Sequence, residues 1–231
     1  MKKWIAWLMT LMMVLGAAAA GAETVKITVS GTGETLVSAD TAVITLGVNA
    51  RDKDVQKAQQ KVNETVAAVR RALMDLKVPE EDITTDFINL YVIYDDMNDQ
   101  EKVVAYHADS TLAIKATDMD QVGTLIDAAF AAGANTLNGI SFSASGTEEA
   151  EAASLRAAVA NARAKADVLA EASGLKITGI DQISDSGVYS YGNSAGNVYA
   201  KSMAAEADGG TVVQAAKLVV SGSVTIVFNA E

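Results

Sequence analysis

The sequence predicts an α+β protein with mainly antiparallel sheet, its paired strands lying between helices that pack on the sheet. Two observations lead there. Segments of period two come in pairs, and segments of period near 3.6 separate those pairs. The resulting order, β-β-α-β-β-α-β-α-β followed by a loop and a last strand, is not the alternating succession of a parallel α/β sheet.

The chain has 231 residues and opens like an export signal. Lys2 and Lys3 form a basic n-region, and Trp4 to Leu15 an almost unbroken apolar stretch. Ala20 and Ala22 fit an A-x-A site with cleavage before Glu23. A retained anchor is the rival reading, but the second half of the run is mostly alanine and glycine, which drive insertion weakly. The expected organisation is a cleaved signal peptide over 1–22 and a single domain over 23–231. No stable transmembrane segment is expected in the mature protein.

Val25, Ile27 and Val29 alternate along a first strand, and Ala42, Ile44, Leu46 and Val48 along a second. SGTGE lies between them, so the pair reads as a hairpin or bulged pair with the glycines making the turn. Val55, Ala58, Val62, Val66, Val69, Leu73 and Leu76 repeat at three and four residues, one apolar stripe on a helix that stops before Pro79. Asp52 and Asp54 suit its positive end. DITTDFINLYVIYDD and VVAYHADSTLAIKA read as the next strand pair, joined by the acidic turn DDMNDQE.

A short helix follows, with Asp118 near its start and Gly133 at its C-cap. Leu137 to Ser145 is a strand. Ser145 and Glu148 have capping-box spacing ahead of the longest helix, whose expected stripe is Leu155, Val159, Ala162, Ala166 and Leu169, with Gly174 ending it. So much alanine favours close packing on a sheet. KITGIDQISDSG reads as a strand, and a Gly-, Ser- and Tyr-rich stretch at about 187–211 as a flexible loop carrying Tyr189, Tyr191 and Tyr199, residue types that serve interfaces. The last strand alternates Val220, Val224, Ile226 and Phe228.

Composition excludes several chemistries. The chain has no cysteine, hence no disulfide, thiolate nucleophile, lipobox or Cys-based zinc site. The formal charge is −11, more negative once Lys2 and Lys3 leave, which argues against an extended nucleic-acid surface. Gly31 and Gly33 lack a third glycine and a following helix, so SGTGE is no dinucleotide fingerprint. His107, the single histidine, shares a strand face with Asp109 while Ser110 points to the other, which forbids a local Ser-His-Asp triad. Asp95, Asp96, Asn98, Asp99 and Glu101 supply oxygen ligands without EF-hand spacing, and an acidic hairpin tip is the plainer reading. Tyr91, Tyr94 and Tyr106 flank that tip as a cross-strand aromatic cluster or a binding patch.

Several separated blocks resemble the SIMPL domain (DUF541) family of exported bacterial proteins. The opening ITVSGTGETLVSADTAVITLGV carries the family's S-G-x-G and Asp40, with Ala39 where a proline is usual. DITTDFINLYVIY carries Ile83, Thr85, Leu90 and Tyr94, with Val92 in place of a proline. ATDMDQVGTLIDAAFAAGANTLNGISF is the nearest block, with Asp120, Val122, Gly123, Ile126, the Gly133-Ala134-Asn135 turn and Gly139-Ile140. Ala164 to Ala166 and Gly174 follow in order. The resemblance implies an exported protein of the periplasm or extracytoplasmic envelope, ring- or channel-like oligomers in some members, and a loose link to stress tolerance. It supplies no catalytic or ligand-binding residues.

Together these readings predict a non-enzymatic envelope protein that acts by self-association or protein contacts. Unprotected terminal strand edges invite the self-association. No catalytic, cofactor-binding or metal-ligating residue is named, no cofactor is expected, and the expected partners are a homo-oligomer and an envelope protein. Two alternatives stand beside it. One is a hydrolase or metal-dependent enzyme with a site assembled from distant Asp, Ser and His107; the other is a calcium or small-ligand module at the acidic hairpin.

Overall fold

The computed structural model describes residues 24–95, 99–191, 210–214 and 217–231. The expected signal peptide, the tip residues Asp96 and Asn98, and the stretch 192–209 with Tyr199 lie outside the described residues.

The order of elements is the expected one: β1 (Val25–Ser38), β2 (Thr41–Asp52), α1 (Val55–Asp75), β3 (Ile83–Asp95), β4 (Asp99–Ala116), α2 (Val122–Ala131), β5 (Thr136–Ser143), α3 (Glu148–Ala172), β6 (Ile177–Tyr191) and β7 (Lys217–Ala230). Short 3₁₀ turns precede β3 and α2. The strands form two antiparallel sheets, ordered β1-β7-β6 and β3-β4-β2-β5, so the α+β class holds. The chain divides into two compact units.

The first unit joins residues up to Thr35 with Glu151–Tyr189 and Ser221–Glu231. Its core is Val29 on β1, Val224, Ile226 and Phe228 on β7, and Ala158, Ala162 and Ala166 on α3. Three expectations are corrected here. SGTGE is no turn: β1 runs straight through it, pairs with β7 rather than β2, and neither glycine has a positive φ. A Cβ on Gly31 would meet the Ala158 carbonyl oxygen and lie 2.6 Å from Ala162 N; one on Gly33 would meet the Ser154 carbonyl oxygen. A Cβ on Gly222 of β7 would lie 2.8 Å from Ser154 Oγ. The glycines therefore let the helix backbone rest on the strand backbone.

The buried stripe of α3 follows from that approach. It is Ser154, Ala158, Ala162, Ala166 and Ala170. Only Ala162 and Ala166 of the expected stripe belong to it; Val159 is 40% and Leu169 48% exposed. At backbone contact there is no room for larger side chains. The third correction concerns the end of β6, which continues as strand through Tyr191, five residues into the expected loop.

The second unit joins Leu36–Ala150 with 190–220. Here the core is bulky. Ile44, Leu46, Leu112, Ile114, Ile126, Val69 and Leu73 are at most 1% exposed. The stripe of α1 is the one the sequence predicts, with Ala58, Val62, Val69 and Leu73 buried and Val66 partly so. Asp54 caps α1 by accepting from the amides of Gln56 and Lys57. Its other end closes with Val78 N donating to Leu73 O at 3.2 Å and Lys77 N to Met74 O at 2.9 Å, leaving Lys77 at φ 71°. The helix thus ends before Pro79 without needing a glycine.

Ser145 does not cap α3 as its spacing suggests. Its hydroxyl and amide both go to the Asp40 carboxylate instead. A second device holds the segment before β7: Asp127 on α2 accepts from the amide and hydroxyl of Thr211, and Gly123 leaves space for the Thr211 carbonyl.

Candidate functional site

The face of the β3-β4-β2-β5 sheet opposite the bulky core carries the polar residues with chemistry to offer. Antiparallel pairing sets the arrangement, because directly paired residues project to one face. The register aligns Phe87 with Thr111 and Gly47, Asn89 with Asp109 and Asn49, and Tyr91 with His107 and Arg51. Three strands thus lay out a grid of three rows. The alternate residues Ile88, Leu90, Ala108, Ser110 and Val48 belong to the other face.

His107 sits in the last row. Arg51 Nε donates to its Nδ1 at 3.2 Å, and the Tyr91 ring lies 4.8 Å away, tilted by 34°. An acceptor role for Nδ1 leaves the ring proton on Nε2. Asp109 shares the face, as the alternation predicts, while Ser110 is buried on the opposite one, so the strand itself brings no serine to the imidazole. The expected tyrosine cluster does not form. Register puts Tyr91 beside His107 and Tyr106 beside Val92 on the core side, where Tyr106 packs partly buried.

In the middle row, Asn89 and Asp109 are half-buried, and no hydrogen bond or ion pair engages either side chain among the described residues. Asn49 is fixed from the sheet edge: Asn135 Oδ1 accepts from its amide at 3.0 Å and Asn135 Nδ2 donates to its carbonyl at 2.8 Å. Asn135 therefore continues the ladder past the start of β5. Phe87 is 55% and Tyr91 45% exposed.

Two acidic groups nearby serve structure. Hydrogen bonds from the Ser145 hydroxyl, then its amide, then the Thr41 hydroxyl hold the Asp40 carboxyl below its ordinary value. Asp52 is lowered first by the hydrogen bond from Lys61, at 2.7 Å, and then by the Asp54 amide. Among the described residues, no group of three or more His, Asp or Glu side chains is placed to hold a metal ion. Of the acidic tip, Asp96 and Asn98, and the side chains of Asp99 and Glu101, lie outside the described residues. In the first unit a shallow apolar depression of about 470 Å³ is lined by Val29, Ala164, Val168 and Leu169; Lys165, its charged lining residue, donates to the Ser30 carbonyl at 2.8 Å.

The family pattern of SIMPL proteins, described as a protein of unknown function (DUF541), matches residues 27–228. The chain belongs to the SIMPL family. Its likeness extends to the 26 kDa periplasmic immunogenic protein of Brucella melitensis, 27% identical over 165 residues, which is 69% of this chain and 66% of that protein. Escherichia coli K12 YggE is 26% identical over 144 residues, 62% of this chain and 58% of YggE. The match thus spans just under two thirds of the Brucella relative's length. Within this SIMPL chain, several family-pattern residues prove to be fasteners. Asp40 ties the β1–β2 turn to Ser145, Gly123 seats Thr211, and Asn135 holds Asn49. Sequence reading passed over Phe87, Asn89, Asn49 and Arg51, whose signal lies in a register that alternation along one strand does not specify. No helix among the described residues is long and apolar enough to cross a membrane.

Proposed function

We propose that the protein is an exported, non-enzymatic component of the cell envelope that acts by protein contacts, above all by association with further copies of itself. The observation that carries this is the edge strand β3. From Phe87 to Ile93 it reads FINLYVI, without a charge, and lies at the edge of its sheet. Ile88 is 67% and Leu90 41% exposed, on one face of the strand. An uncharged apolar strand with an unpaired backbone edge is a template for another chain.

The edge is limited at both ends by irregular pairing, between Thr85 and Phe87 and again around Tyr94, which restricts pairing to the apolar stretch. The terminal strands are the weaker route, since β7 is the central strand of its sheet and only β1 and β6 are edges there. Binding is favoured over catalysis because His107 is held between Arg51 and Tyr91, and the residues paired in the flanking rows bring it no serine or threonine hydroxyl. Export is supported by the signal-like residues 1–22 and by the periplasmic name of the Brucella relative.

Light scattering over about 1–100 μM tests the reading, a range in which a micromolar contact shifts from mostly free to mostly assembled. The wild type should exceed monomer mass, and Ile88→Asp with Leu90→Asp should return it to monomer while the melting temperature holds. A monomer mass for the wild type at every concentration overturns self-association.

A further inference from the structure

The grid on the outer sheet face has a use that self-association does not require. We propose that it is a binding platform for a neutral oligosaccharide. Two aromatic rings, Phe87 and Tyr91, stand exposed on the same face of β3. Four residue steps along the strand separate them, about 13 Å. Between and beside them lie planar hydrogen-bonding groups: the Asn89 amide, the Asp109 carboxylate and the free arm of the Arg51 guanidinium, with His107 buried beside Tyr91 and Arg51.

The chemistry selects the ligand. A pyranose offers an apolar face of C–H groups and a rim of hydroxyls, each able to donate and accept. Rings exposed singly suit the first, since an aromatic face stacks on a flat apolar surface and needs no enclosing pocket. The strip between them suits the second. Asp109 accepts only, the Arg51 guanidinium donates, and Asn89 does both, so the two hydroxyl roles find partners. Asn89 and Asp109 make no hydrogen bond or ion pair with the described residues, so no internal bond is lost when a ligand takes them.

Other ligands fit less well. A polyphosphate or nucleic acid would meet a carboxylate at the centre of the grid in a chain of formal charge −11. A protein partner needs a contiguous apolar patch, and here the two rings are separated by an amide and a carboxylate. The platform is also rigid. Arg51 and Tyr91 fix His107, and Asn135 fixes the strand behind Asn49, so little ordering opposes binding.

The platform lies on the face opposite Ile88 and Leu90, which makes it separable from the proposed self-association. Titration of the exported protein with chitotetraose and with cellotetraose, followed by saturation-transfer NMR and calorimetry, tests it. We expect saturable binding of at least one glycan with a Kd of about 0.1–5 mM, the affinity of an open site with few contacts. Tyr91→Ala and Phe87→Ala should each weaken it about fivefold, and Asp109→Asn, which leaves the shape unchanged, about tenfold. Ile88→Asp should leave it intact even where it dissolves the assembly. No saturation by either glycan up to about 20 mM overturns the platform, because a weaker site has no use for its rings. So does wild-type affinity in both Tyr91→Ala and Asp109→Asn.

Discussion

The two units of this chain solve one problem, a helix on a sheet, in opposite ways. In the second unit α1 stands off the sheet and the gap is filled by Val62, Val69 and Leu73 against Ile44, Leu46 and Leu112. In the first, α3 brings alanines onto Gly31 and Gly33 until backbone meets backbone. Burial in the second unit is a matter of apolar volume, and periodicity of bulky residues reveals it. Burial in the first is a matter of fit, and the bulkiest residues of the helix are driven outward. Hydrophobic effect and steric closeness are different forces, and a sequence displays only the former plainly.

The largest effect should come from spoiling the fit. Gly33→Val places side-chain carbons where the Ser154 carbonyl and the Ala158 amide already are, and both are backbone. Neither can move without shifting α3, so we expect a loss above about 4 kcal/mol, beyond the usual range of overpacking. Glu34→Val, one residue along β1 on the exposed side, should change little. Urea unfolding followed by circular dichroism measures both. Equal midpoints for the two variants would mean that the helix does not rest on the strand.

Spoiling volume should cost somewhat less and should depend on depth. Val69 is fully buried in the α1 stripe, so Val69→Asp leaves an unpaired carboxylate among apolar side chains and should cost about 3–5 kcal/mol. Val66 sits in the same stripe but is only partly buried, and Val66→Asp should cost about 1–2 kcal/mol as its carboxylate turns to water. Thermal melts that ranked Val66→Asp the worse would place the centre of the stripe elsewhere.

This contrast also explains what could be read in advance. The order of elements and the stripe of α1 are legible because alternation and a 3.6-residue period leave large apolar residues in step. The stripe of α3 is not, because alanine occurs on every face of that helix and nothing marks Ala158 above Ala157. Gly31 and Gly33 are ambiguous alone; a turn and a close approach both select glycine. The platform was hidden for another reason. Arg51 and His107 are 56 residues apart, and only the pairing of β2 with β4 brings the two into one row. That His107 and Asp109 share one face is legible in the sequence, because that relation is local.

The second unit also fastens its loops by charge, and acid should undo this. Ser145 and Thr41 hold Asp40 below the ordinary carboxylate value of 3.8. A depressed folded-state pKa means that the unfolded chain binds the proton more readily, so stability rises with pH through this window. The contribution is present in full above the unfolded value and disappears as pH falls below it, through the folded one. Asp40→Asn should therefore lower the urea midpoint at pH 7, and the gap to wild type should close toward pH 2. A gap that stays constant with pH would show that the carboxylate's charge has no part in holding Ser145.

The smallest effect belongs to the residues that periodicity would have buried in α3. Val159 is 40% exposed, and its truncation to alanine loses only part of a side chain's burial while gaining helix propensity of about 0.6 kcal/mol. The two nearly cancel, so Val159→Ala should lie within about 0.5 kcal/mol of wild type. Ala158→Val, one position earlier, makes the reverse change where the helix touches Gly31 and Gly33, and should cost several times more. Neither substitution alters polarity or charge. If Val159→Ala proved the more damaging of the pair, the first unit would be held by apolar volume after all, and its contrast with the second would vanish.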